Sequence, residues 1–237
     1  MKSFSNTYIF VFSTIMVVIV AALLSTAAMV LQPLQERNIE IQKKRNILSS
    51  VSIENNAKTA EELYDKYISN SFVINAKTEE QESLNAFEVE MELQMKKPLE
   101  QRTLPVFVSS LDDGTIKYIV SVYGKGLWGP IYGFISLNDD FTTLYGAVFN
   151  HDDETPGLGA EINTDWFGAQ FADKKIFNKK GEFISIDLVK GGADPESINE
   201  VDGISGGTLT SNGLEKMLYD CLGSYQTYFK NQMKNKK

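Results

Sequence analysis

From position 8 to position 31 the chain is almost continuously apolar, interrupted only by Ser13, Thr14, Ser25 and Thr26, and no charged residue stands between Lys2 and Glu36. A helix of that length, rising about 1.5 Å per residue, is longer than a hydrocarbon core of roughly 30 Å, which predicts a membrane-spanning helix with some tilt. Pro33 is expected to close it. A secretory signal has an apolar stretch of only about 7 to 15 residues, so the run reads as a retained single-pass anchor. The 237 residues, 43% of them hydrophobic, then leave room for one soluble domain of ordinary size. The expected plan is an anchor helix over 1–33, a helical and mixed connecting region over 34–100, and the principal folded domain over 101–237. Lys2 lies before the apolar run, and Arg37, Lys43, Lys44 and Arg45 lie just past it. Counted alone, that bias favours a cytoplasmic domain.

Several function classes drop out at once. With 31 Asp and Glu against 23 Lys and Arg, the formal charge is -8 and no basic stripe exists to neutralise phosphates, so nucleic acid is not an expected partner. Cys221 and His151 are the sole cysteine and histidine, which excludes an intramolecular disulfide and a structural Cys/His zinc site. Asp139, Asp140, Asp152 and Asp153 do not follow an EF-hand pattern and read as exposed turn acids. No metal is expected. Cys221 falls at an apolar position of a helical pattern, where a buried core thiol is the natural reading. His151 reads as a surface-loop histidine, since no nucleophile motif accompanies it.

The soluble part reads as α+β. Polar-rich residues 34–70, with Ile39, Ile47, Leu48, Val51, Leu63 and Tyr67 spaced among them, look helical. Alternation of Phe87, Val89, Met91 and Leu93 suits a strand with one wet face. Residues 105–111 and 115–123 form a hairpin around Asp112-Asp113-Gly114, and 134–137 pairs with 143–149 around Asn138-Asp139-Asp140. A third pair is expected between 175–177 and 183–189. Leu214, Met217, Leu218, Cys221, Leu222 and Tyr225 lie on one face of an amphipathic helix, with Asn212 or Ser211 as its cap and 230–237 as a frayed tail.

Just before that helix runs Asp202-Gly203-Ile204-Ser205-Gly206-Gly207-Thr208-Leu209-Thr210-Ser211, with three glycines and four hydroxyls in ten positions. Glycines allow close approach of backbone amides to an anion, and a following helix start adds unpaired amides. This suits a phosphate, although plain turns before helices have the same composition. It is neither a P-loop nor a Rossmann fingerprint.

The pattern Asp202-x-x-Ser205-Gly206-x-Thr208 closely resembles the flavinylation motif of the FMN-binding domain found in sodium-translocating NADH:quinone oxidoreductases, with Gly207 where that family usually has Ala. Two further stretches resemble the same family: residues 126–133, Gly-Leu-Trp-Gly-Pro-Ile-Tyr-Gly, and residues 151–159, His-Asp-Asp-Glu-Thr-Pro-Gly-Leu-Gly. With the anchor, the similarity covers nearly the whole chain. It is closer to the C-type component of that complex than to the related G-type component of ion-translocating electron-transport complexes.

The resemblance implies an antiparallel sheet flanked by helices over 101–237, and FMN bound covalently through a phosphoester to Thr208. It further implies a flavin transferase that reads Asp202, and partners in a respiratory complex of the bacterial inner membrane. It implies a periplasmic domain, against the weak charge bias. Electrons would pass through the flavin during NADH-to-ubiquinone transfer coupled to Na+ export. A lone anchor without intramembrane charges offers no sodium channel of its own.

Within the flavin pocket that the resemblance implies, Leu127, Trp128 and Leu158 would supply apolar walls. Gly157 and Gly159 would let backbone approach the ring, and Glu154 and Thr155 would hydrogen-bond to it or orient the loop. Ser205, Gly206 and Gly207 would frame the attachment, and Lys190, before Gly191-Gly192, would pair with the phosphate or face solvent. Without the resemblance, Trp128 reads as a packed core aromatic. Thr210 is the next acceptor hydroxyl after Thr208. The rival readings are a cofactor-free anchored scaffold and, weakest for want of a nucleophile with a paired base, a membrane-bound hydrolase.

Overall fold

The computed structural model describes residues 5–75, 77–81 and 83–236. Its first helix, α1 (Asn6–Ser50), is the one helix among the described residues long and apolar enough to cross a membrane, with a mean hydropathy of 2.6 over its most apolar window. Pro33 does not close it but lies inside it. Proline removes one ladder bond and clashes with the preceding turn, at about 3 kcal/mol or more, yet the helical ladder resumes beyond it. Two units can be told apart, 1–43 and 44–237.

The larger unit is built on a five-stranded antiparallel meander in chain order: β1 (Ile68–Ile74), β2 (Leu104–Ser110), β3 (Ile116–Lys125), β4 (Pro130–Leu137) and β5 (Leu144–His151). The two hairpins expected from the sequence are β2–β3 and β4–β5. Everything from Lys44 belongs to the larger unit, and β1 completes the sheet by pairing with β2.

Side chains alternate across a strand, and here both faces are covered. Val106, Val120, Val122 and Ile135 face the core under the C-terminal helix, while Phe107, Ile119 and Phe134 face a second cluster with Ile47, Val51 and Val73. This is why the strands read as near-continuous apolar runs. The last turn of α1 caps the second face, where the Ser136 hydroxyl donates to the Ser50 carbonyl. A helix α2 (Ala60–Tyr67) leads directly into β1.

The strand expected around 87–93 is instead a 3-10 turn, Ala86–Glu88, capped by the Asn85 side chain, and a short helix α3 (Met91–Met95). Phe87 and Val89 pack on the second face and Met91 on the first. The alternation thus marks a segment serving both faces. Beyond β5 come α4 (Asp165–Ala169), β6 (Asp187–Val189) and β7 (Glu200–Asp202). The third pair forms only at its turn, where Phe177 and Phe183 make one antiparallel bridge and the Ile184 amide donates to the Ile176 carbonyl; farther on, β6 pairs in parallel with β7 instead.

The chain closes with α5 (Thr208–Asn235), which starts before the expected Ser211 or Asn212 cap and runs through most of the expected frayed tail. Its apolar face is buried as its periodicity predicts, and the Tyr225 hydroxyl donates to the Pro105 carbonyl. Gly124 and Gly213 let it lie close on β3: a Cβ on Gly124 would fall 2.6 Å from the Met217 Cβ. Cys221 is fully buried within this face, and burial pushes its thiol up to about 12. The thiolate is the reactive form. Alkylation at pH 8, followed by intact mass, is therefore expected to modify Cys221 only after denaturant is added.

Candidate functional site

Thr208 is the first residue of α5. The first-turn amides of any helix lack intrahelical partners and carry the positive end of its dipole, and here Gly207, the N-cap, has no side chain to cap them. The Thr208 side chain is exposed and makes no hydrogen bond among the described residues. Gly206 turns the chain at φ +74°, and a Cβ there would fall 2.6 Å from the Leu158 Cδ2. The 202–207 loop therefore rests on the 154–159 loop through Gly206 and Leu158.

A cleft of about 370 Å³ opens beside Thr208, lined in part by Trp166, Lys190, Asp202, Ser205 and Gly206. Its volume lies within the range of small-ligand sites. Lys190 is exposed and follows β6, and Gly191 and Gly192 turn the chain back with φ of +90° and +114°. Asp202 holds that turn, its Oδ1 accepting from the Ala193 amide at 2.6 Å. The fold thus brings Lys190, Ser205, Gly206 and Thr208 to one cavity.

Leu127, Trp128, Thr155, Gly157 and Leu158 do not line this cleft. They belong to two loops tied together by Glu154. Glu154 is 4% exposed; its Oε1 accepts from the Trp128 amide at 3.0 Å and its Oε2 from the Thr210 hydroxyl at 2.6 Å. Burial acts to raise its pKa, but the Thr210 hydroxyl and the amides of Trp128, Leu127 and Gly129 outweigh it and hold the carboxyl below its ordinary value. Gly126 and Gly159 leave the room this requires, since a Cβ on either would overlap the Glu154 carboxylate. Trp128, far from being a packed core aromatic, is 66% exposed.

Gly157, at φ +75°, donates its amide to Glu161 Oε1 at 3.0 Å, and the Thr155 carbonyl accepts from the Leu158 and Ala160 amides. His151 is not on a loop but ends β5, half-buried, with its Nδ1 accepting from the Glu154 amide at 3.3 Å.

Sequence reasoning missed two residues. Trp166, 59% exposed in the first turn of α4, lines the cleft beside Thr208. An aromatic after the polar run Asn163-Thr164-Asp165 was its only signal. Thr210 reads in the sequence as a spare acceptor, yet its hydroxyl is committed to Glu154.

An esterified flavin phosphate fits these residues: a free hydroxyl, a helix start without a side-chain cap, a lysine in the same cavity and an exposed aromatic, Trp166, lining it. The family model described as FMN-binding domain matches residues 126–223. The C-subunit of the Na(+)-translocating NADH-quinone reductase of Vibrio vulnificus strain YJ016 is 33% identical over 208 residues, covering 81% of each chain. The crystal structure of the C-subunit of that reductase from Parabacteroides distasonis superposes with a TM-score of 0.77 at 40% identity, covering 84% of this chain and 96% of the other. The crystal structure of Shewanella oneidensis NqrC gives 0.71 at 26% identity, covering 83% and 98%.

Proposed function

This chain belongs to the NqrC family, the C-subunits of Na(+)-translocating NADH-quinone reductases, and we propose that it relays electrons in such a complex through one FMN esterified to Thr208. The observation that carries this reading is the free, exposed Thr208 hydroxyl at the uncapped start of α5. Bound FMN supplies reversible electron transfer, and the protein supplies position and electrostatics. The first-turn amides of α5 and the Lys190 ammonium would meet the phosphate, where both favour negative charge. Trp166 and Leu158, and the Trp128 turn held by Glu154, offer apolar surface to the ring. The attachment loop is held by Gly206 against Leu158 and by β7, so that the acceptor is presented without blocking its hydroxyl.

On this reading a separate flavin transferase makes the ester, with Asp202 in its recognition sequence. Here Asp202 also orders the 190–193 turn. The α1 helix holds the domain at the bacterial inner membrane on its periplasmic side, among the other subunits of a complex that couples NADH-to-ubiquinone transfer to Na+ export.

The test is intact mass after co-expression of the full chain with a flavin transferase. The expected result is a gain of one FMN less one water. No gain, under conditions where a known target is modified, overturns the proposal.

A further inference from the structure

The carboxylate of Glu154 is the one acidic side chain of the 151–159 loop that is buried. Buried carboxylates persist where amides and hydroxyls replace their water. The turn 126–129, closed by the Gly126 amide on the Gly129 carbonyl at 2.9 Å, donates its Trp128 amide to the carboxylate at 3.0 Å, and backbone amides turned toward an anion are a recurrent way of holding one. The second oxygen is tied to Thr210 in the first turn of α5, two residues after the attachment position.

We propose that Glu154 is a positioning residue rather than a flavin contact: its carboxylate is the built-in anion that folds the Trp128 turn and clamps it to the helix that starts at Thr208. The inference rests on the attachment reading only for its consequence at the flavin; the clamp itself belongs to the protein alone. Both oxygens face protein donors, so the group acts on a ring through Trp128 and through the loop carrying Leu158. The other titratable groups around it are otherwise engaged or exposed. His151 accepts from the Glu154 backbone, Glu161 accepts from Gly157, and Asp153 is exposed beside Gly129.

The experiment is amide hydrogen exchange on the full chain, without flavin, for wild type and Glu154→Gln. A hydrogen bond to a charged acceptor is worth about 1.5–3 kcal/mol. The Trp128 amide is therefore expected to exchange at least about tenfold faster in the variant, while the amides of β3 and β4 keep their protection. Thr210→Val, which leaves the carboxylate and the turn in place and cuts only the tie to α5, is expected to accelerate Trp128 less and to serve if the first variant does not fold. Unchanged Trp128 exchange in the folded variants overturns the clamp.

On transferase-treated chain, both variants are expected to gain the FMN mass yet change the visible circular dichroism of the flavin, which a merely structural role would leave alone. Faster exchange with an unchanged flavin signal overturns the positioning role. No FMN gain even in wild type overturns the attachment reading instead, and the exchange result then decides the clamp by itself.

Discussion

Thr208→Val is expected to gain no FMN at all when co-expressed with a flavin transferase, against one equivalent in the parent chain, read by intact mass. The side chain is exposed and without hydrogen bonds among the described residues. Valine keeps its branched shape and differs little in helix propensity, so folding stability is expected to stay within about 0.5 kcal/mol. The effect therefore reports the lost acceptor oxygen and not a lost fold. The sequence offers Thr210 as a substitute acceptor, but the structure does not: Thr210 is 1% exposed and donates its hydroxyl to Glu154. Modification that persists in Thr208→Val would move the site and overturn the assignment.

The second large effect is on stability. Gly133→Ala is expected to destabilise the domain by about 2–4 kcal/mol, which for a domain of this size lowers the melting temperature by roughly 5–15 °C. Gly133 sits on β4, paired on both sides, opposite Val122 on β3 and Phe149 on β5. An added Cβ there would overlap the Val148 carbonyl oxygen, a backbone atom held in the ladder that cannot swing aside as a side chain would. Gly133 closes the Gly-Leu-Trp-Gly-Pro-Ile-Tyr-Gly stretch that resembles the flavoprotein family. Its physical role is strand packing. Thermal unfolding of the full chain in detergent, followed by far-UV circular dichroism, measures the shift, and an unchanged midpoint would mean that β4 and β5 separate there at little cost.

Local signals were legible in the sequence and distant ones were not. The β2–β3 hairpin could be read because its turn is self-contained: Asp113 Oδ1 accepts from the Thr115 amide, and Gly114 supplies φ +80°. The α5 face could be read because its apolar residues recur at helical spacing. The β6–β7 pair escaped because two three-residue strands in parallel carry almost no pattern, and Phe183 to Val189 looked instead like the return arm of a hairpin. Around 87–93 the alternation was genuine but arose from a turn and a short helix with residues on both sides of the sheet. At the site, Thr208 stood out by the glycines before it and by its family likeness. The role of Glu154 did not, since its donors lie 26 and 56 positions away in the chain, and Trp166 was hidden because exposure is a property of the fold.

The helix that starts at Thr208 also buries Leu214, Leu218, Leu222, Tyr225 and Phe229 completely beneath the sheet. Segments packed in this way open only with the global transition, whereas loops and chain ends fray at far lower free energy. A group esterified to Thr208 would thus hang from the first turn of a helix whose body, from Leu214 on, belongs to the slowest-opening part of the molecule, while meeting solvent directly. Its excursions would come from rotation about its own single bonds rather than from breathing of the backbone. Proteolysis of native protein should nick the exposed 191–197 turn well before it cuts within α5, so a group esterified to Thr208 would stay on a peptide still held in the folded remainder.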